Sequence, residues 1–411
     1  MSEIEEAVDA EDVLAPLIEA IAATLPSGWK LETLGSLCEK SQYGWTTKAD
    51  KDGQGVKFLR TTDITPGVVD WERVPYCVEA PSDLDKYLIR EGDLLISRTG
   101  SIGVNYLVSN PEPAVFASYL IRFRPKKSIS TNYLRYFLQS PTYWRAIAAG
   151  KKGIAVQNVN ATMLSKIPVP VAPDSEQLEI VAEIEKQFSR LDEAVANLQR
   201  VKANLKRYEK ATIESLTNPE TFEECVSGTI ADVAISLDNM RKPVNKAERA
   251  TRPGNVPYLG ANGQTGWIDA HLFDEEIVLV VEDETFVGRT APFSYYFAEK
   301  CWVNNHTHVL RARPDVVSPK YLNLALSYYP FIPLTTGSTG RRKLTKGALM
   351  VAPIVVPSLV QQEQIVSEVE RRLSLTSEVL AEVGKNLQRS EKLRQAVLAT
   401  AFGIQLAQPE H

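Results

Sequence analysis

The stretch IVAEIEKQFSRLDE, residues 180–193, has a counterpart in IVSEVERRLSLTSE, residues 365–378, and this pair decides the architecture of the chain. Six of the fourteen positions are identical, and the two stretches lie 185 residues apart. At the same separation, LSKIPVPVAP (164–173) corresponds to LMVAPIVVPS (349–358). The match therefore extends beyond one helix into the proline-rich segment that precedes it.

A third match lies further upstream. The stretch ISTNYLRYFLQS (129–140) corresponds to VSPKYLNLALSY (317–328) at a separation of 188 residues, and one loop insertion explains the change of three. The chain is thus predicted to be a tandem duplication of one unit, in which a globular domain is followed by a proline-rich strand and a long helix. The period is far longer than the few tens of residues that are typical of solenoid repeats.

Apolar residues in the two long helices recur every seven positions, which is the spacing of a coiled-coil seam. The seam consists of Ile184, Leu191, Leu198 and Leu205 in the first helix and of Leu373, Leu380 and Leu387 in the second. Asp174 and Ser175 are the predicted N-caps of the first helix, and Asn218-Pro219 is its predicted end. Each helix could pack on its own domain instead, but two matched seams in one chain favour an antiparallel pair.

Short strands such as DLLISRT and EIVLVVED alternate with short amphipathic helices in both globular halves. The predicted fold class is therefore α/β (mixed), with two tandem domains, two long helices that form an antiparallel coiled coil, and pseudo-two-fold symmetry. The predicted boundaries are 1–26 for an N-terminal helical extension, 27–173 for the first domain, 174–218 for the central helix, 219–357 for the second domain and 358–405 for the C-terminal helix. In the extension, Val13, Leu17, Ile21 and Leu25 are spaced to pack against another helix.

The composition sets broad limits on the class of protein. The 411 residues carry a net charge of -5, which argues against a uniformly basic nucleic-acid binder but leaves room for local basic patches. The four cysteines form no CxxC pair, so neither a zinc site nor a disulfide framework is expected. The acidic N-terminus does not resemble a signal peptide, and no apolar run is long enough to cross a membrane. We expect a cytoplasmic protein.

The stretch GDLLISRTGSIG (92–103) reads as a strand that enters a glycine-containing turn. A phosphate-binding P-loop would need a further lysine before Ser or Thr, and the turn would have to open a helix. Here VNYLV follows and predicts a second strand. The segment is therefore predicted to be a strand-to-strand turn that presents Arg98, Thr99 and Ser101 outward.

Two loops, GKKGIAVQNVN (150–160) and GSTGRRKLTK (337–346), occupy equivalent places in the repeat. Both combine cations, which bind phosphates, with amide or hydroxyl side chains, some of which read base edges. Each loop alone reads as a solvated surface loop, but the duplication favours a function. With the other polar turns, the predicted DNA contacts are Tyr43, Trp45, Thr47, Lys48, Arg60, Thr61, Thr62, Arg98, Thr99, Ser101, Lys151, Lys152, Gln157, Asn158, Arg241, Lys242, Asn262, Gln264, Asn304, Asn305, His306, Ser338, Thr339, Arg341, Arg342 and Lys343.

Some of these residues have other interpretations. Tyr43 and Trp45 could stack on a base or sugar, but two aromatic residues beside a glycine also form small packing clusters. Asp63 could orient Arg60 or cap a turn. The residues at 306 and 308 are histidines with the alternate spacing of one strand face, and without a third ligand they predict no metal site.

These motifs together resemble the DNA-specificity subunit of type I restriction-modification systems. The resemblance is carried by LPSGWKLETLGSLCE, FLRTTDI, GDLLISRTGSIG, VQNVN with LSKIPVPVAP, EQLEIVAEIE, PYLGANGQTGWID and CWVNNHTHVL, and it covers the chain after about residue 25. The second repeat differs from the first at one of these motifs, because the acidic VEDETFVG stands where the first repeat has SRTGSIG.

The resemblance implies two target recognition domains that each read one half of a bipartite site in double-stranded DNA. It also implies that the paired helices dock methyltransferase subunits, expected to be two, and that restriction or translocase subunits can join the complex. No cofactor is expected on this chain. S-adenosylmethionine would be held by the methyltransferase subunits, and ATP and magnesium by a restriction subunit.

The rival hypothesis is that the chain itself is a DNA methyltransferase or a nuclease. An adenine methyltransferase of the related kind needs an Asn/Asp-Pro-Pro-aromatic motif, and no Pro-Pro pair occurs in the sequence. Glu282, Asp283 and Glu284 could hold magnesium, but no suitable Glu-x-Lys follows them. A scaffold that binds only protein would leave the duplicated basic loops unexplained. We therefore predict a DNA-binding adaptor that is not an enzyme.

Overall fold

The computed structural model describes residues 10–152, 159–284, 286–337 and 342–402. The chain divides into two compact units, of which the first comprises Met1–Ala196 and Asn386–His411 and the second comprises Asn197–Lys385. Each unit holds one predicted globular domain and a segment of each long helix. None of the described helices is both long enough and apolar enough to cross a membrane.

The first unit contains seven described helices before the first long helix. They are α1 (Ala10–Thr24), α2 (Leu34–Leu37), α3 (Thr61–Ile64), α4 (Leu84–Tyr87), α5 (Thr131–Phe137), α6 (Pro141–Lys152) and α7 (Ala161–Ser165). The strands are β1 (Lys30–Thr33), β2 (Gln42–Tyr43), β3 (Ala49–Asp50), β4 (Lys57–Leu59), β5 (Tyr76–Cys77), β6 (Leu94–Ser97), β7 (Asn105–Leu107), β8 (Ala114–Phe116), β9 (Leu120–Phe123) and β10 (Pro168–Val171). The long helix α8 (Asp174–Leu216) follows and continues into the second unit.

The second unit contains the helices α9 (Ile230–Val233), α10 (Lys246–Ala250), α11 (Pro319–Ser327) and α12 (Lys346–Met350). Its strands are β11 (Cys225–Thr229), β12 (Ala234–Ser236), β13 (Val256–Gly260), β14 (Gly263–Ile268), β15 (Ile277–Val281), β16 (Asp283–Glu284), β17 (Ser294–Phe297), β18 (Trp302–Val303), β19 (Thr307–Ala312), β20 (Arg342–Lys343) and β21 (Pro353–Pro357). Helix α13 (Leu359–Ala401) begins in this unit and ends in the first.

The two units repeat one sheet topology. A four-stranded antiparallel sheet has the order β2-β9-β6-β7 in the first unit and β12-β19-β15-β17 in the second. A second sheet pairs β4 with β8 in parallel, and its counterpart pairs β13 with β18 in parallel. An antiparallel pair, β1-β10 or β11-β21, closes each domain at the proline-rich strand. The predicted duplication is therefore confirmed at the level of topology.

The central strands β6 and β15 carry apolar residues on both faces because both faces of their sheets are covered. All four residues of β6 and all five of β15 are buried. Helices α5 and α11 pack beside these sheets and bring Tyr133 and Tyr321 into the respective cores. Each packed core fixes the strands, and the strands in turn fix the loops at their ends, where the polar residues lie.

A buried glutamine near the start of each long helix ties that helix to its own domain. The Gln177 carboxamide accepts a hydrogen bond from the Ser130 backbone N–H at 3.0 Å and donates to the Ala172 carbonyl at 2.8 Å. Gln362 accepts in the same way from the Ser318 N–H at 2.9 Å and donates to a carbonyl just before its helix. Ser130 and Ser318 are the N-caps of α5 and α11, so the same contact recurs in both units.

Helix α8 begins at Asp174, so the predicted N-caps Asp174 and Ser175 lie in its first turn, and it ends at Leu216, two residues before the predicted Asn218. The Asn218 side chain caps a short 3-10 helix instead. The seam residue Ile184 is buried, and the other six predicted seam residues are partly buried.

Segments of α8 and α13 pack together in each unit. In the first unit the Arg394 guanidinium lies 4.2 Å from the centre of the Phe188 ring and forms an ion pair with Asp192. In the second unit Ile213 of α8 shares a core with Ile365 of α13.

Helix α1 packs against α6 and β10 of its own domain. Leu14 and Ile21 are fully buried, whereas Leu17 and Leu25 are partly buried. The predicted helix-to-helix packing is thus found, but the partner is a short helix of the first domain. Leu14 was missing from the predicted set because it falls between the positions that follow a strict four-residue step from Val13.

Candidate nucleic-acid interface

Several polar turns of the first unit lie together at the end of the antiparallel sheet. The Arg98 backbone N–H donates to the Tyr119 carbonyl at 2.9 Å, and the Arg98 carbonyl accepts from the Val159 N–H at 3.2 Å. The Tyr43 hydroxyl accepts from the Ala161 N–H at 2.9 Å, and the Thr61 and Ser97 hydroxyls are 3.3 Å apart. The turns that contain residues 43, 61, 98, 119 and 160 therefore form one surface, which we call the first polar surface.

Gly44 makes the close approach of β2 to this surface possible. A Cβ atom at this position would lie 2.2 Å from the Ala117 carbonyl oxygen and 2.3 Å from that of Phe116. Real Cβ atoms do not approach backbone oxygens so closely. Any larger residue would therefore displace Tyr43 and Trp45 from the neighbouring turn.

Arg98 and Tyr43 form the centre of the first polar surface. The Arg98 guanidinium carbon lies 5.2 Å from the centre of the Tyr43 ring, within range of a cation–π contact. Arg98 is partly exposed, as is Thr99, while Ser101 is exposed. The turn between β6 and β7 is thus the predicted strand-to-strand turn.

Arg60 is held by a carboxylate of its own turn. Its Nε donates to Asp63 at 3.0 Å and its Nη2 at 2.8 Å, and the Asp63 carboxylate also accepts from the Arg60 backbone N–H. This hydrogen bonding raises the pKa of the guanidinium. Asp63 therefore both orients Arg60 and caps α3, while the neighbouring Thr61 is partly exposed and Thr62 is exposed.

Trp45 belongs to a packing cluster. Its indole N–H donates to the Glu79 carbonyl at 2.8 Å, and its ring centre is 5.3 Å from that of Tyr87. Thr47 accepts from the Glu79 N–H, and Lys48 is exposed. Sequence reasoning missed Tyr119, which is 58% exposed in the turn between β8 and β9. The only available signal was that this turn corresponds to the one with Asn304, Asn305 and His306 in the second half.

A network of charges underlies the equivalent turns of the second unit. Arg241 donates to Glu282 at 2.5 Å and lies 3.4 Å from Asp238, and Lys343 pairs with Glu282 at 3.1 Å. His308 contacts Asp238 at 2.6 Å through Nδ1. Arg241 is only 13% exposed, so these contacts assign it to holding the turns together rather than to facing outward.

The network shifts the protonation of both carboxylates. Burial raises the pKa of Glu282, but the hydrogen bond from Arg241 and the charge of His308 outweigh it, so the pKa is lowered. Burial also raises the pKa of Asp238, but the hydrogen bonds with His308 and the Val309 N–H outweigh it, so this pKa is lowered too. Both groups are therefore held as carboxylates under the loop that carries Lys343.

The two histidines differ from the predicted pattern. His308 lies in β19 and is 1% exposed, with its Nε2 2.8 Å from the Leu344 carbonyl oxygen. His306 lies in the turn before β19, and its Nδ1 is 2.5 Å from Asp283. Within the described ranges no group of three or more metal-ligating side chains is present.

An open cavity of about 500 Å³ lies beside these turns in the second unit. Asn304, Asn305 and His306 line it, together with Lys246 and Arg249 of α10, which sequence reasoning did not single out. The Arg249 guanidinium lies 4.4 Å from the centre of the Tyr258 ring. The two cations of the stretch NKAER were the only signal for this pair in the sequence.

The remaining predicted contacts have separate surroundings. Asn262 accepts from Arg289 at 2.9 Å, Arg342 donates to the Thr335 hydroxyl at 2.7 Å, and Lys242 and Gln264 are exposed. Lys151 and Lys152 end α6, and their side chains are not described. Gln157, Asn158, Ser338, Thr339 and Arg341 lie outside the described residues.

Sequence comparison identifies the repeated domain. The sequence model of the type I restriction modification DNA specificity domain matches residues 26–207 and 222–384. A Haemophilus influenzae protein named as a type I restriction enzyme specificity subunit, S.HindORF215P, is 34% identical over 171 residues, which are 40% of this chain and 43% of that protein. This chain therefore spans less than half of that relative.

A second relative is matched over nearly its whole length. The StySPI type I restriction enzyme specificity subunit of Salmonella potsdam is 22% identical over 419 residues, which cover 92% of this chain and 89% of that protein. Among solved structures, a chain from a study of assembly and conformational transition of the type I R-M system gives a TM-score of 0.66 at 18% identity. The superposition covers 92% of this chain and 98% of that chain, and at this identity it shows a common fold.

Proposed function

Because the chain belongs to the type I restriction-modification DNA specificity family and carries the family's domain twice, we propose that it binds a bipartite sequence in double-stranded DNA. Each domain reads one half of the site. The observation that carries this proposal is the repeated topology, in which polar turns gather beside equivalent strands of both units. Two copies of one reading surface on one chain suit a target with two separated parts.

The chain is a specificity subunit and not the catalyst. Its relatives are named as specificity subunits of restriction enzymes. Methyl transfer from S-adenosylmethionine belongs to methyltransferase subunits, two of them by the symmetry of the repeat. ATP- and magnesium-dependent work belongs to a restriction subunit where one is present. Since the substrate is DNA, we propose a cytoplasmic location.

The charge distribution supports local rather than general attraction to DNA. With a net charge of -5, the chain needs exposed cations at the reading surfaces. Lys48 in the first unit and Lys242 and Lys246 in the second are exposed and suited to phosphate contacts. Arg60, Arg241 and Lys343 are paired with carboxylates, so we assign them to holding the turns in place rather than to binding phosphates.

The long helices are proposed to form an antiparallel coiled coil that docks the methyltransferase subunits. In the first unit the C-terminal segment of α13 packs on the N-terminal half of α8. In the second unit the N-terminal half of α13 packs on the C-terminal part of α8. This order of contacts is the one that antiparallel pairing requires.

The proposal is tested with a duplex library that contains two randomised blocks separated by spacers of different lengths. The full chain, assembled with its methyltransferase subunits, is expected to select two short conserved blocks at one spacing. Selection of a single continuous block, or of no sequence, would contradict the bipartite reading. Methyl transfer by the chain alone with S-adenosylmethionine, or cleavage by it with magnesium, would contradict the adaptor role.

A further inference from the structure

Arg98 differs from three other arginines of the first unit, Arg60, Arg122 and Arg124, in its contacts. Arg60 is paired with Asp63, and Arg124 is paired with Asp93 at 2.7 Å. Arg122 donates to two backbone carbonyls and lies near Asp93. Within the described part of the chain Arg98 has no ion pair, and its buried Nε has no hydrogen-bond partner. The guanidinium is therefore placed without the contacts that normally satisfy an arginine.

The position of Arg98 is nevertheless well determined. Its backbone is fixed on both sides by hydrogen bonds to the Tyr119 carbonyl and from the Val159 N–H. The Tyr43 ring lies under the guanidinium, and the Tyr43 hydroxyl is itself held by the Ala161 N–H. Because Nε is turned inward, the edge that remains for a ligand is the terminal pair of Nη groups.

Two parallel N–H donors on a planar group match one base of DNA in the major groove. Guanine presents the O6 and N7 acceptors side by side, and a bidentate arginine is the commonest specific contact to it. A phosphate also accepts from arginine, but phosphate contacts carry no sequence information, and a lysine serves there as a point charge. A buried donor without a partner destabilises a fold, so this placement is not one that stability alone would select.

We propose that Arg98 is a specificity-determining residue that reads a guanine in the half-site of the first domain, with Tyr43 as its positioning residue. This inference rests on the proposed DNA-reading function. Arg98 is the first residue of the turn between β6 and β7, so this turn is the part of the first unit that reads the guanine. In the second unit Glu282 follows β15 directly, as Arg98 follows β6, and it already binds Arg241 and Lys343, so its half-site is read by other groups.

The test compares Arg98→Lys, Arg98→Ala and Tyr43→Leu with the parent chain in the duplex library, using the full chain assembled with its methyltransferase subunits. Arg73→Ala is the matched control because Arg73 is an 88% exposed arginine of the same unit. Thermal melting of each variant shows that it folds. The parent is expected to select a guanine at one position that both Arg98 variants lose, while the second half-site is unchanged.

The size of the effect follows from the contact. A good bidentate pair contributes about 1–3 kcal/mol of discrimination, so affinity for the preferred duplex should fall by roughly 5- to 150-fold in Arg98→Lys and Arg98→Ala. Tyr43→Leu should weaken the same guanine preference without abolishing it. Arg73→Ala should select the parental sequence.

Three other results would overturn the inference. If Arg98→Ala lowers the affinity for all sequences alike and Arg98→Lys restores it, Arg98 contacts a phosphate. If both variants select the parental sequence with parental affinity, Arg98 does not contact DNA. If the parent itself selects no sequence, the proposed function fails first and the inference fails with it.

Discussion

At the residue scale, the first polar surface depends on one position that tolerates no side chain. We predict that Gly44→Ala lowers the melting temperature and weakens DNA binding, because the new Cβ would meet the carbonyl oxygens of Phe116 and Ala117. Overpacking of this kind costs about 1–3 kcal/mol. Gly384→Ala in α13 is the control, since its Cβ meets nothing within 4 Å and alanine favours helix by about 1 kcal/mol. Equal melting temperatures for the two variants would contradict the prediction.

The charge network of the second unit predicts a pH dependence. The pKa of Glu282 is lowered on folding, so its contribution to stability is present above the unfolded value and is lost as the pH falls through the folded value. Stability should therefore fall as the pH drops below about 4.3, the ordinary glutamate value. Asp238 acts in the same direction at lower pH.

Glu282→Gln removes part of this dependence. It should also destabilise the second unit by about 1–3 kcal/mol at neutral pH, because Arg241 keeps Asp238 but loses its shorter ion pair with Glu282. Urea unfolding of the parent and of Glu282→Gln at pH values from about 3 to 7, which include the range where carboxylates titrate, measures both the pH dependence and the loss of stability. Parallel stability curves for parent and variant would show that Glu282 does not titrate as the network requires.

At the element scale, each long helix depends on its buried glutamine. Gln362→Leu leaves the Ser318 N–H and the carbonyls of Val316 and Pro357 without this partner, so we predict a loss of about 1–3 kcal/mol in stability. Gln364→Leu on the exposed side of the same helix is the matched control. Limited proteolysis near the start of α13 should be faster in Gln362→Leu alone. Equal proteolysis of the two variants would mean that the glutamine is not what anchors the helix.

At the scale of the whole molecule, the proposed coiled coil acts as a ruler between half-sites. Four residues added after Leu198 lengthen the helix by about 6 Å and rotate it by roughly 40° beyond one turn. At about 3.4 Å per base pair, this corresponds to one or two extra base pairs of spacer. A coiled coil tolerates a four-residue insertion by local unwinding, so the variant should fold.

The duplex library measures the outcome of this insertion. We expect the same two half-site sequences at a longer spacing, because no reading turn has been changed. An assembled variant that still modifies sites of the original spacing would show that the helices are not the ruler. Altered half-site sequences would place part of the base reading on the helices.

Much of the architecture is determined by the sequence alone. The match between residues 180–193 and 365–378, the start of α8 at Asp174 and the hairpin around Arg98 all follow from repeats, caps and hydrophobic periods within short stretches. Such signals are local, and each stretch folds with the period that its apolar residues prescribe. The duplication also carries the family resemblance, and with it the function.

Only the tertiary structure decided which polar residues are available to a ligand. In sequence Arg98, Arg241 and Lys343 look alike, yet Glu282 binds the latter two, while Arg98 lies on Tyr43 and pairs with no carboxylate among the residues that the structure describes. Arg241 is 41 residues from Glu282, and Arg98 is 55 residues from the Tyr43 that supports it. How strongly a charged side chain can interact with a ligand depends on its burial and on partners within a few ångströms. Those partners come from distant parts of the chain, so no local pattern can predict them.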